Sequence, residues 1–137
     1  MNTQPEMLVD TDTLSFYIRK SPKVVSAAQD YLRKHRNFIF SIITKFEILR
    51  GMKAKGATTQ LRFFNLLCQQ NKIINLNDDI IATASDIYAD LYKRGQMIGD
   101  ADILIAATAL QQGIAIVTNN ESHFARISGL QVLNWNR

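Results

Sequence analysis

Five short apolar runs frame this chain: MLVD at 7–10, FIFS at 38–41, KIINL at 72–76, IAIVT at 114–118 and the more weakly patterned LQVLNW at 130–135. Each is too short for a buried helix and reads as a strand. Helical patterns fill the intervals. After NLNDD, Ile81, Ala84, Tyr88 and Leu91 recur at helical spacing, with Asp78 or Asp79 as the expected cap. In DADILIAATALQQG, Asp102, Ile105, Ala106 and Ala109 share one face, and Gly113 ends the helix. Strands alternating with helices predict an α/β fold: a three-layer α/β/α sandwich around a central parallel sheet of four to five strands. Neither repeats nor a linker interrupt the 137 residues, so one domain over 1–137 is expected.

Several classes drop out at this stage. No apolar run approaches the roughly 18–20 residues that span a bilayer, and the amino terminus lacks a basic-then-apolar export signal. Cys68 is the only cysteine. An internal disulfide and a cysteine-based zinc site are therefore excluded, and a reducing cytoplasm is the expected location. Charge is distributed unevenly. The first 62 residues hold eleven of the sixteen lysines and arginines but five of the twelve acids, leaving about +6 there against −2 in the remainder. Solvated helix faces account for such clusters, and so does a rim that attracts phosphate backbones.

The carboxyl ends of the strands are where α/β proteins place ligands. Asp10 closes the first strand and sits there. Glu47, in SIITKFEILRG, falls about six residues into a helix that Ser41 can cap, roughly 9 Å along it. Helical side chains lean toward the amino terminus, and the extra methylene of glutamate uses that lean. Asp102 reaches the same edge if RGQMIGD runs extended back along the preceding helix, with bends at Gly95 and Gly99. Thr118, Asn119 and Asn120 lie just beyond the fourth strand, where their oxygens and amides can ligate or hold a carboxylate. Three convergent carboxylates repel by roughly 4 kcal/mol per pair at about 4 Å and an effective dielectric near 20. A hard cation offsets that, and all-oxygen donors favour Mg²⁺ or Mn²⁺ over zinc.

Each acid also has a plainer reading. Asp10 can be a helix cap, Glu47 an exposed helix residue, Asp12 and Asp100 caps or supporting groups, and the lone His123 a surface residue. Asp102 has the weakest alternative, since a charged group on an apolar face needs a partner.

Taken in order, LVDTDTL, TKFEILRG, DADILIAATAL, IVTNNESHFARISGL and the closing LNW resemble PIN-domain ribonucleases of the VapC toxin type over nearly the whole chain. The resemblance implies a PIN-like sandwich and a Mg²⁺- or Mn²⁺-dependent acidic site that hydrolyses RNA, often a particular tRNA, leaving a 5′-phosphate and a 3′-hydroxyl. It matches Asp10, Glu47 and Asp102 to the family's three acidic positions. Asn120 stands where many members carry a fourth acid, and it is implied as a further metal ligand. Lys45, Arg50 and Lys53 are the expected substrate contacts. The partners implied are a cognate VapB-type antitoxin and a second copy of the chain in a homodimer, with operator DNA contacted only through the antitoxin. Two rivals stand beside this. Asp10, Asp12 and Thr13 resemble the D-x-D-x-T opening of haloacid-dehalogenase-like phosphatases, with Asp10 as nucleophile and Asp12 as acid/base. A non-enzymatic binding module that keeps its acids for structure is the other.

Overall fold

The computed structural model describes residues 4–137; the first three residues of the expected domain, and with them part of the amino terminus read for an export signal, lie outside the described residues. All five apolar runs form strands: β1 (Met7–Val9), β2 (Ile39–Ser41), β3 (Lys72–Ile74), β4 (Ala115–Val117) and β5 (Val132–Leu133). They make one sheet in the order β3-β2-β1-β4-β5, and every pairing is parallel. The expected α/β/α sandwich is the observed one.

Successive residues of a strand point to opposite faces, and here they enter two different cores. Met7, Val9, Phe38, Phe40, Ala115 and Val117 face one way. They are covered by α1 (Thr11–Ile18), α2 (Pro22–His35), α3 (Ile42–Lys55) and α4 (Thr58–Gln70). Leu8, Ile39 and Ile116 face the other way, against α5 (Asp78–Arg94), α6 (Asp100–Gln112) and α7 (Glu121–Phe124). With both faces covered, central strands carry no alternation of polar residues, which is why they read as unbroken apolar runs.

Two details of α5 differ from the sequence reading. Its cap is Asn77, whose Oδ1 accepts from the Ile80 N–H at 2.9 Å, and not Asp78 or Asp79. Its buried face is Ile80, Ala84, Ile87 and Leu91; Ile81 and Tyr88 are exposed. The two stripes share Ala84 and Leu91 and both follow steps of three and four residues, so periodicity alone cannot separate them. The connection to α6 also differs. Thr83, early in α5, bonds Gln111, late in α6, at 3.0 Å. The helices therefore form an antiparallel hairpin, and residues 95–99 turn between them without running back along α5. Gly95 caps α5 at φ 66°, a conformation that suits glycine.

The chain leaves β1 for β2 and β3 on one side, then returns to β4 on the other. The carboxyl ends of β1 and β4 thus flank the switch point of the sheet, the position at which open parallel sheets form a crevice.

Candidate active site

Asp10 follows β1 directly. Its backbone N–H donates to the Val117 carbonyl at 3.0 Å, so β4 fixes its position. It occupies the N-cap position of α1, yet its carboxylate makes no cap bond. Instead Oδ2 accepts from the Thr118 hydroxyl at 2.7 Å, across the switch point. The plain cap reading of Asp10 therefore fails on geometry. Only 4% of the residue is exposed. Burial above all, then the charge of Asp12 and more weakly that of Asp102, pushes its carboxyl up from 3.8 to about 7, against the hydrogen bonds from Thr118 and the Thr11 backbone. Among the described residues no lysine or arginine forms an ion pair with Asp10, Asp12 or Asp102.

Asp12 is a supporting group, as expected. Its Oδ1 accepts from the Asn119 N–H at 3.3 Å and lies 3.3 Å from the Thr13 hydroxyl and 3.5 Å from that of Thr118, tying the loop after β4 to α1. Thr118 carries out what was expected of that loop and holds a carboxylate in place. Asn119 does so only through its backbone; both polar atoms of its side chain are buried without a hydrogen-bond partner.

Glu47 is the sixth residue of α3, and Ser41 caps that helix through the Ile43 N–H at 3.0 Å, both as read from the sequence. The Thr11 hydroxyl donates to Glu47 Oε1 at 2.6 Å. A hydroxyl has one hydrogen, so at the 3.0 Å contact between Thr11 and Thr44 it is Thr44 that donates. Thr11, next to Asp10 in sequence, thereby joins α3 to the end of β1. No sequence signal singled it out.

Asp102 lies in the first turn of α6, on the face it shares with the fully buried Ile105, Ala106 and Ala109. The partner such a position demands is His123, whose Nδ1 stands 3.1 Å from Asp102 Oδ2 and 2.8 Å from Asn120 Nδ2. One ring nitrogen carries either a hydrogen or a lone pair. It donates to Asp102 in the first form and accepts from Asn120 in the second. The reading of His123 as an uninvolved surface residue is thus corrected: α7 carries it to α6. Asp100 is exposed.

The expected basic contacts separate. Arg50 Nη2 stands 3.7 Å from Glu47 Oε2. Lys53 is exposed on the same helix. Lys45, two residues before Glu47 and so about 200° round the helix, acts electrostatically on the Cys68 thiol. A cleft of about 270 Å³ opens beside Thr11 and Glu47, between α1 and α3, with Arg19 and Lys55 among its lining residues.

The side chains of residues 10, 47 and 102 do not form a closed cage. Among the described residues no group of three or more acids, histidines or cysteines is arranged to enclose an ion. Each carboxylate turns to its own nearby donor: Thr118, Thr11 or His123. The donor set nevertheless suits a hard divalent cation. Its ligating atoms are oxygens, and among the described residues no lysine or arginine forms an ion pair with Asp10. Magnesium keeps several waters and needs only one or two carboxylates.

An acid at the switch point of a parallel sheet, backed by acids from two helices, defines a class of α/β proteins. The PIN domain model matches residues 7–130, and the chain belongs to this family. It is 33% identical to Ribonuclease VapC1 of Methanocaldococcus jannaschii, over 94% of this chain and 88% of that one. It is 24% identical to the tRNA(fMet)-specific endonuclease VapC of Salmonella typhimurium, over 95% and 98%. In fold it matches a chain of VapBC2 from Rickettsia felis, crystallised bound to a DNA fragment from their promoter, with TM-score 0.84 and 25% identity over 94% and 98% of the two chains. The phosphatase alternative loses its support. Leu14, fully buried, stands where D-x-D-x-T needs its threonine, and Asp12 is engaged in tying the loop after β4 to α1.

Proposed function

We propose that this chain is a Mg²⁺- or Mn²⁺-dependent endoribonuclease, one PIN-like domain over 1–137, acting in the cytoplasm as the toxin of a toxin–antitoxin pair. Its substrate class is structured RNA, with tRNA foremost. The observation that carries the reading is Asp10, a buried carboxylate at the switch point, hydrogen-bonded by Thr118 and ion-paired with no lysine or arginine among the described residues. The names of the relatives, ribonuclease and tRNA-specific endonuclease, support the activity and the substrate.

Asp10 and Asp102 would hold the ion, with Glu47 and Asn120 completing the oxygen donors. The bound ion would supply positive charge against the scissile phosphate and Lewis acidity toward the attacking water. Thr118 fixes the Asp10 rotamer, and His123 holds Asp102 when Nδ1 carries a hydrogen or Asn120 when it carries a lone pair. Glu47, held by Thr11 and partly open to solvent, is suited to orient the attacking water and accept its proton. Arg50 and Lys53 would attract the RNA backbone, so binding weakens as salt rises.

Solved VapBC complexes of similar fold, one bound to promoter DNA, support a VapB-type antitoxin as partner and operator DNA contacted through it. The active unit is a homodimer. The test is cleavage of a cellular RNA pool with and without Mg²⁺ or Mn²⁺, read by sequencing the new 5′ ends. Asp10→Asn and Asp102→Asn should each abolish cleavage with circular dichroism unchanged. Wild-type rates in both variants would refute the assignment.

A further inference from the structure

Phe46 is 58% exposed, although it adjoins Glu47 in sequence. Nothing in the account of the acids uses it. The Arg50 guanidinium stands 5.2 Å from the centre of its ring, and the same guanidinium reaches to 3.7 Å from Glu47 Oε2. Ring, cation and carboxylate therefore form one continuous chain of contacts along α3. Residues 46, 50 and 53 follow the i, i+4, i+7 spacing of a single helical stripe, so Lys53, also exposed, belongs to the same face. With the guanidinium on the ring and more than half of the residue still open, the aromatic surface remains accessible.

An exposed aromatic flanked by cations is the composition with which proteins take unpaired nucleobases. The ring stacks on the base, and the cations meet the adjoining phosphates. Protein-docking patches share the aromatic and the arginine but are depleted in lysine, and here the exposed Lys53 completes the stripe. We infer that Phe46, with Arg50 and Lys53, forms a stacking platform for one single-stranded base of the RNA next to the bond cleaved at the acids. This deepens the nuclease reading and rests on it for the adjacency to cleavage; the stacking itself can be tested separately.

The probe is a short single-stranded oligoribonucleotide carrying 2-aminopurine, whose fluorescence is quenched by stacking, titrated with the full chain in EDTA so that no cleavage occurs. Wild-type protein should bind and quench. Phe46→Ala, at an exposed position that does not hold the fold, should weaken binding about tenfold or more and lose the quenching. Phe46→Trp should restore both, and Phe46→Leu, apolar without a π face, should restore neither. Equal binding and quenching by wild type and Phe46→Ala would overturn the platform, even if metal-dependent RNA cleavage is intact. Phe46-dependent quenching in a protein that cleaves no RNA would uphold the platform and remove the nuclease reading alone. If Phe46→Ala changes only the sedimenting mass or the capture of a protein partner, the residue belongs to a protein interface and the proposal falls.

Discussion

Asp10 and Glu47 are both carboxylates at the same end of the sheet, linked through Thr11, yet they live in different media. Asp10 is 4% exposed and sits on a strand end, where β4 and Thr118 fix it. Glu47 has a side chain 21% exposed, rides on a helix and has an arginine beside it. The buried acid has its charge opposed by the surrounding protein, and either a proton or a cation from outside relieves it. The partly exposed acid has solvent and the Arg50 guanidinium, 3.7 Å away, beside it. The difference is the basis for the roles proposed above, the first acid holding an ion and the second handling protons and solvent.

The contrast is broken most sharply by neutralising each acid in turn in metal-free protein. The raised carboxyl of Asp10 means that the folded state binds its proton more tightly than the unfolded state. Its contribution to stability is therefore complete below the unfolded value near 4 and is lost as pH rises through about 7. Asp10→Asn removes that loss. Denaturant melts should show the variant more stable than wild type by a few kcal/mol above pH 7, with the gain gone below about pH 4. Glu47→Gln, partly solvated, should change stability by less than about 1 kcal/mol across the same range. Equal pH profiles for the two variants would erase the distinction.

Removing the hydroxyls that hold each acid sharpens it further. Thr118→Val takes the one side-chain donor from a buried carboxylate and should weaken Mn²⁺ affinity about tenfold to a hundredfold. Thr11→Val acts on the more exposed Glu47 and should lower the cleavage rate by about tenfold or less, with Mn²⁺ affinity little changed. The reverse order of effects would show that α3, and not the β1 end, carries the ion.

Much of this was legible before any coordinates. Strands buried on both faces announce themselves as unbroken apolar runs, and Asp10 and Ser41 mark where two of them stop. The placing of Glu47 followed from the Ser41 cap and the rise of a helix. What stayed hidden depended on tertiary choice. In NLNDD three adjacent residues can cap a helix, and Asn77 is the one that does; Ile80 and Ile87, not Ile81 and Tyr88, meet the core, a small rotation that the helical period leaves open. His123 shows no partner along the chain because its partner lies on α6, and only the packing of α7 brings them together. Thr11 is a common residue in a common place, and its role exists only once α3 crosses α1.

A divalent ion that matches the charge on Asp10 must displace the proton there, so counting protons tests it most directly. Metal-free protein is titrated with Mn²⁺ by calorimetry near pH 6 in buffers of different ionisation enthalpy. Since the Asp10 carboxyl is pushed up to about 7, it is mostly protonated there, and binding should release about one proton per ion, falling to almost none above pH 8 and absent in Asp10→Asn. Binding with no proton release at pH 6, or with undiminished affinity in Asp10→Asn, would contradict it.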